Sequence, residues 1–306
     1  MKKSKKISPL ISDKIQTELD TYGFSTIDIL NTEELQKLSD IYNKYKTKID
    51  TTTSNGIHMT NWISNRQIKY SISQEIESCI HECMNKILQN YTSLNHVFIV
   101  KNKHSSSNFP IHQDWSFVNE DIYDSINIWI PLQDTNQTNG GIYFIPGSHL
   151  LKNNIRGAGK LTFDFTPYYK KLKKHFTPVT LKKGQILLFY HSTIHGSTPN
   201  KSDNPRIIVA ASVIHKDANI IINNFDEQSN TLRRFVADKE FMFNYENIRT
   251  ESLNEVRNGK LIESLSNYKI PNIKYTDIVS LIPHTNTIQS NWKTSLDWLY
   301  LLLKIK

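Results

Sequence analysis

Apolar residues recur at helical spacing from Leu10 to Tyr22, and Gly23 stops the run. Phe24 to Ile29 reads as a short strand. Asn31-Thr32-Glu33-Glu34 supplies a capping side chain and an acidic first turn, opening a helix to about Ile49. Residues 50–72 are polar and irregular. Ser73 to Tyr91 restores the helical period, with Ile76, Ile80, Cys83, Met84, Ile87 and Leu88 on one side.

The texture then changes. Val97 to Val100, Ser125 to Pro131, Ile142 to Pro146, Gln185 to Tyr190 and Arg206 to Ile214 are short β-branched or aromatic runs. Asn139-Gly140-Gly141, Pro146-Gly147-Ser148, Lys183-Gly184 and Asp203-Asn204-Pro205 place turns between them. Such spacing predicts a sandwich or barrel, not a Rossmann sheet; only Tyr168 to His175 offers a helical pattern between strands. From 216 onward the chain reads as mixed helix and loop. With no Pro/Gly/Ser-rich linker, residues 1–306 are read as one domain. Its parts are a helical N-terminal support (1–94), an all-β core (95–215) and a helical or loop C-terminal region (216–306).

Composition narrows the class. The 306 residues are 38% hydrophobic and 22% charged, a globular balance. No run approaches the roughly 18 apolar residues of a membrane span. The net charge of +8 favours acidic partners, an anionic small-molecule substrate among them. Lys2, Lys3, Lys5 and Lys6 contribute a solvated basic end, with no signal-peptide-like apolar run behind it. Cys79 and Cys83 are too few for a disulfide framework, so a reducing, cytoplasmic setting is expected.

The informative chemistry begins at Pro110-Ile111-His112-Gln113-Asp114-Trp115. Residues i and i+2 of a strand share a face, so His112 and Asp114 can aim at one point. His195, in the distant stretch Phe189 to Ser197, offers a third ligand. Two histidines and one carboxylate leave open positions on a metal, the non-haem Fe(II) oxygenase pattern. Arg206 opens the next apolar run, which would set it beside such a metal. Its guanidinium can grip a carboxylate bidentately, as the distal carboxylate of 2-oxoglutarate requires.

Residues 97–214 resemble the phytanoyl-CoA dioxygenase family of Fe(II)/2-oxoglutarate enzymes. The resemblance rests on four blocks: His112-Gln113-Asp114; Trp129-Ile130-Pro131-Leu132 leading to Asn139-Gly140-Gly141; Ile145-Pro146-Gly147-Ser148-His149; and His195-Gly196-Ser197 with Arg206. Tyr22-Gly23-Phe24 is also family-like, whereas the C-terminal ninety or so residues match no motif. The resemblance implies a mostly β protein with a double-stranded β-helix (jelly-roll) core and flanking helices. It implies Fe(II) on the catalytic residues His112, Asp114 and His195, with 2-oxoglutarate and O2 as cosubstrates. Arg206 and Ser197 would hold the cosubstrate's far carboxylate, with Gln113 and Trp129 near cosubstrate or substrate. Lys101 or Lys103 would match a lysine that lines such sites, and His149 would be structural. The implied outcome is hydroxylation of a small molecule, with release of succinate and CO2.

Rival outcomes are desaturation, cyclisation or halogenation, and a rival class is a catalytically idle jelly-roll binding protein. Related halogenases lack the carboxylate, which Asp114 supplies here. Nucleic-acid demethylases of the superfamily carry a second arginine six residues after the first; here Ser212 stands there, arguing against a nucleic-acid partner. Nothing in the sequence sets an oligomeric state. His191, four before His195, reads as a strand-end neighbour of the site, because Ser192-Thr193 disfavours a helical zinc pair. Cys79, His81 and Cys83 read as helix packing, and Gly157-Ala158-Gly159 as a loop. Residues 151–180, with Lys170, Lys171, Lys173 and Lys174, are expected to form a lid at the barrel mouth. Trp115 to Glu120, and His58, Asn61 and Trp62, are candidates to approach the pocket. Trp292 to Lys306 carries an apolar helical stripe, expected to dock on the protein's own body.

Overall fold

In the computed structural model, which describes residues 6–50, 53–54, 56–104, 108–151, 155–244 and 259–283, the chain begins with helices laid against a sheet. Helix α1 (Asp13–Tyr22) is capped by Ser12, whose hydroxyl accepts from Ile15 N, and ends where Gly23 turns left-handed at φ 87°. Helix α2 (Thr32–Ile49) opens with the reciprocal capping box of Asn31 and Glu34. Helix α3 spans Arg66–Asn85, not the expected 73–91. Asn65 caps it, its polar first turns hid the start, and Tyr91 belongs to a strand.

The strands are β1 (Phe24–Asp28), β2 (Thr53–Ser54), β3 (Ile57–Met59), β4 (Tyr91–Lys101), β5 (Phe109–His112), β6 (Ser125–Pro131), β7 (Ile142–Phe144), β8 (Thr177–Pro178), β9 (Gln185–Tyr190), β10 (His195–Ser197), β11 (Arg206–His215), β12 (Ile220–Asp226), β13 (Thr231–Ala237) and β14 (Lys260–Leu265). A larger antiparallel sheet runs β1-β9-β6-β11-β4-β3-β2, and a smaller one β5-β10-β7-β8. Together they form the jelly-roll core.

Period-two alternation decides which residues serve the scaffold and which face the interior. Ile126, Ile128 and Ile130 of β6, Val209, Ala211 and Val213 of β11, and Ile186, Leu188 and Tyr190 of β9 pack outward on the helices, against residues such as Leu19, Leu38 and Ile76. Their neighbours Trp129, Ala210, Leu187 and Phe189 turn inward and meet Ile142 and Phe144 of the smaller sheet. Both faces are therefore apolar, which is why these strands read as unbroken runs.

Three expectations need correction. Residues 50–72 are not wholly irregular: they supply β2, β3, a 3-10 turn at Thr60–Trp62 and the start of α3. The C-terminal region is not simply helix and loop, because β12, β13 and β14 form a third sheet. Ile220, Ile222 and Phe235 of that sheet pack with Trp115 and Phe117, joining it to the core. The expected lid, residues 151–180, does not enter the cavity among its described residues. Phe165, Leu172 and Phe176 pack on Tyr143 and Ile145 of β7 and its following turn. The apolar stripe at 292–306 lies outside the described residues.

Candidate metal centre and its cavity

The Pro-Gly-Ser-His turn fixes the strand that carries one histidine. Gly147 is left-handed at φ 78°, and Ser148 Oγ accepts from Ile194 N at 2.8 Å while Ile145 N donates to Ile194 O at 2.9 Å. His195 then begins β10 and pairs directly with His112 of β5. Gly196 between them admits no side chain: a Cβ there would lie 2.6 Å from Tyr143 Oη. Asp114 follows β5, its N–H donating to His191 O at 2.9 Å.

Three side chains distant in sequence thereby converge. Among the described residues, His112, Asp114 and His195 form the one metal-competent cluster, with ligand atoms all within 4.8 Å of one another. His112 Nε2 lies 3.6 Å from Asp114 Oδ1, and His195 Nε2 lies 3.9 Å from Asp114 Oδ2. His112 Nδ1 donates to Pro110 O at 2.8 Å and His195 Nδ1 to Thr193 O at 2.9 Å. A carbonyl only accepts, so both protons are fixed on Nδ1 and both Nε2 lone pairs face the carboxylate. Burial pushes His195 down to about 4, which keeps it neutral and able to ligate. Burial opposes ionisation of Asp114, but the neighbouring His195 and His112, in their charged forms, outweigh it and hold the carboxyl below its usual range. Asn127 Nδ2 also donates to Asp114 Oδ2 at 3.1 Å. The donor set suits a divalent metal such as iron: two neutral imidazoles, one carboxylate and no thiolate.

The cluster opens on a cavity of about 370 Å³ inside the jelly roll. Arg206 lines its inner end, 3% exposed, with the Trp129 ring 5.5 Å from its guanidinium carbon. Lys101 pairs with Arg206 across β4 and β11 and is fully buried. Its Nζ donates to Ser197 O at 3.3 Å and Thr198 O at 2.5 Å. Burial and Arg206 push Lys101 down to about 6, and burial pushes Arg206 down to about 9. No ion pair among the described residues involves either group, and Arg206 Nε is buried without a partner. A buried guanidinium without a counter-charge, beside a buried lysine, is the cradle an anionic carboxylate would fill.

Ser197 and Trp129 line the cavity as expected. Of the two lysine candidates, Lys101 is at the site, whereas Lys103 is exposed. Gln113 is the exception: it points away from the cavity and its side chain donates to Ser192 O. Alternation requires this, because 113 lies between two inward residues. His191 lines the cavity without joining the cluster; its ring nitrogens sit 2.7 Å from Ser125 Oγ and 3.1 Å from Ser212 Oγ. His149 is structural, its Nε2 donating to Asp20 O at 3.1 Å. Asn61, Trp62, Trp115 and Phe117 reach the cavity, and His58 does not.

Sequence reasoning missed two groups. Asn127, which holds Asp114, was legible in principle, since it shares a strand face with Trp129. Arg156 was not: it arrives from a loop, donates from Nε to Asp114 O at 2.7 Å, and pairs with Glu120 at 2.6 Å.

A jelly roll whose interior gathers two histidines and an aspartate defines the class of non-haem oxygenase folds. Two non-heme enzymes are among the solved structures that resemble it. It aligns with the non-heme alpha ketoglutarate dependent carbocyclase SnoK from nogalamycin biosynthesis at a TM-score of 0.51 and 16% identity, over 69% of this chain and 86% of that one. The apo non-heme monooxygenase ThoJ aligns at a TM-score of 0.51 and 18% identity, over 67% of this chain and 79% of that one. The phytanoyl-CoA dioxygenase (PhyH) family model matches residues 32–208, and the chain belongs to that family. A phytanoyl-CoA dioxygenase of Arabidopsis thaliana is 36% identical over 110 residues, 35% of this chain and 38% of that protein. Phytanoyl-CoA dioxygenase domain-containing protein 1 of Danio rerio is 29% identical over 143 residues, 44% of this chain and 49% of that protein. The matched region thus spans half or less of these relatives' length.

Proposed function

We propose that the protein is an Fe(II)- and 2-oxoglutarate-dependent oxygenase that hydroxylates a small molecule. The observation that carries this reading is one cavity lined both by a His-Asp-His cluster and by the buried Arg206 guanidinium, which has no counter-charge among the described residues. His112 Nε2, His195 Nε2 and the Asp114 carboxylate would hold the iron. Arg206, with Ser197 and Lys101 beside it and Trp129 against its guanidinium, would hold the far carboxylate of 2-oxoglutarate. When bound, iron and 2-oxoglutarate together activate O2, the cosubstrate leaving as succinate and CO2 while one oxygen atom goes to substrate.

The chain's own residues do the positioning. The Pro110 and Thr193 carbonyls keep both imidazoles in the ligating tautomer. Asn127 orients the Asp114 carboxylate. Trp115, Phe117, Trp62 and Met242 wall the cavity with apolar surface, which limits water around the reacting atoms. No described helix is long and apolar enough to cross a membrane. With Cys79 and Cys83 both free thiols, a cytoplasmic setting forms part of the proposal.

The test is spectroscopic. Anaerobic protein with Fe(II) and 2-oxoglutarate should develop a weak visible charge-transfer band, lost in Asp114→Ala and His195→Ala. A folded, iron-loaded protein that binds no 2-oxoglutarate and shows no band would instead be an idle binding module. Product analysis separates hydroxylation from desaturation, cyclisation or halogenation.

A further inference from the structure

The two histidines of the cluster sit in hydrogen-bonded strands, but Asp114 lies beyond the end of β5 and has no ladder to fix it. Its N–H donates to His191 O at 2.9 Å. Its carbonyl accepts from Arg156 Nε at 2.7 Å. A second nitrogen of the same guanidinium reaches Glu120 Oε1 at 2.6 Å, and the arginine side chain is only 4% exposed. One planar fork therefore ties the backbone of the proposed carboxylate ligand to an acid a few residues further along the same loop.

The segment that delivers Arg156 is itself held on two sides. Arg156 N donates to Ser116 Oγ and Ser116 N to Arg156 O, each at 3.2 Å. Ser116 Oγ in turn donates to Glu120 Oε2 at 3.3 Å. On the other side lies β12: Asn223 Nδ2 donates to Arg156 O at 3.3 Å, and Ala158 N to Asn223 O at 3.0 Å. Gly157 permits this close approach, since a Cβ there would lie 2.2 Å from Asn223 O. The loop glycine is thus what lets the chain bring an arginine up behind Asp114. A buried ion pair adds little net stability, because desolvation offsets most of its attraction, so stability alone does not account for Arg156 and Glu120 here.

We propose that Arg156, given the metal site proposed above, is a positioning residue for the metal: by gripping the Asp114 carbonyl and Glu120 together, it sets the angle at which the carboxylate ligates beside His112 and His195. Arg156 does not line the cavity, so it acts through Asp114 and not on a bound molecule. A variant keeps all three ligands in the chain and changes only how the carboxylate is presented. Loss of such an outer partner costs about 10- to 100-fold in metal affinity.

The test uses full-length protein and Co(II), whose visible ligand-field bands report the coordination around it. Wild type, Arg156→Gln, Arg156→Lys and Glu120→Ala are each melted, titrated with Co(II) and scanned at saturation. Arg156→Gln should raise the Co(II) dissociation constant roughly ten- to a hundredfold and alter the bands at saturation. Arg156→Lys keeps the charge without the fork, so it should recover only part of the affinity. Glu120→Ala frees the far end of the guanidinium and should weaken binding severalfold, with its bands displaced the same way. A role confined to the scaffold would lower the melting temperature alone. Folded Arg156→Gln with wild-type affinity, or with wild-type bands at saturation, therefore overturns the proposal, as does full rescue by lysine. If Arg156→Gln fails to fold, Glu120→Ala decides by the same two readings. Wild type that takes up no Co(II) overturns the metal reading and this proposal together, whereas normal uptake with indifferent variants overturns this proposal alone.

Discussion

At the scale of single residues, the site is built from side chains whose protonation is set by what they touch. Removing the carboxylate of Asp114 leaves two neutral imidazoles, a poor hold on a divalent ion. Asp114→Ala should therefore lower Mn(II) affinity by at least about tenfold, read by calorimetric titration. Arg206→Ala deletes the buried guanidinium proposed to meet the cosubstrate. Breaking such a pair costs about 3 kcal/mol, so the half-saturating 2-oxoglutarate concentration should rise roughly a hundredfold. An unchanged value would remove Arg206 from its role. A third residue gives a pH signature away from the metal. Asp124 is buried; its carboxylate accepts from Gln16 and Tyr190, each at 3.2 Å, and Lys6 lies 4.0 Å away. Burial raises its pKa above the ordinary value, Lys6 and Gln16 oppose that, and Asp20 adds to it. A raised carboxyl favours the protonated form in the folded state, so its stabilisation is present at low pH and lost as pH rises through the folded pKa. Asp124→Asn should thus melt above wild type at pH 7, and the gap should narrow as pH falls toward 4. A gap that widens on acidification would show the ionised form to be the stabilising one.

At the scale of elements, strands were more legible than loops. His112 and Asp114 could be paired from the sequence because alternation dictates their common face, and the same rule turns Gln113 the other way. The direct pairing of His195 with His112 could not be read, because it depends on a smaller sheet whose strands are only three or four residues long. Helix α2 was read to its last residue thanks to a strong capping box. Helix α3 was misplaced because Asn65 caps a polar turn that carries no hydrophobic period. In the third sheet β14 hides itself: Leu261, Ile262 and Leu265 are all exposed, so no half-buried alternation marks the strand. The tightest element-level constraint is Gly196. A Cβ there would meet Tyr143 Oη at 2.6 Å and Phe109 O at 3.0 Å, prising β10 from both neighbours. Gly196→Ala should lose metal affinity more steeply than thermal stability, measured by metal titration beside a melting curve.

At the scale of the whole molecule, the C-terminal sheet is part of the site's support. Asn223 of β12 donates to Ser116 O at 3.2 Å and Arg156 O at 3.3 Å, and Arg156 in turn holds the Asp114 carbonyl. Ending the chain after residue 215 would strip Ile220, Ile222 and Phe235 from Trp115 and Phe117 and free the backbone beside Asp114. Such a truncation should lose Mn(II) binding along with its near-ultraviolet circular dichroism, although it keeps all three proposed ligands and Arg206. Retained binding would show the jelly roll to be sufficient alone. No family-like motif in residues 216–306 announces this dependence, because it is made of packing and backbone hydrogen bonds.

Strand β11 carries a guanidinium at one end and a hydroxyl near the other, with only small or aliphatic inward neighbours between them. The proposed grip on the diacid is thus confined to one end of this ribbon, while Ala210 and Ser212 further along it line the same cavity. Chimeras that exchange residues 210–213 with those of a relative should acquire new molecular preferences while keeping their demand for the diacid, so diversification of this scaffold can proceed without rebuilding its engine.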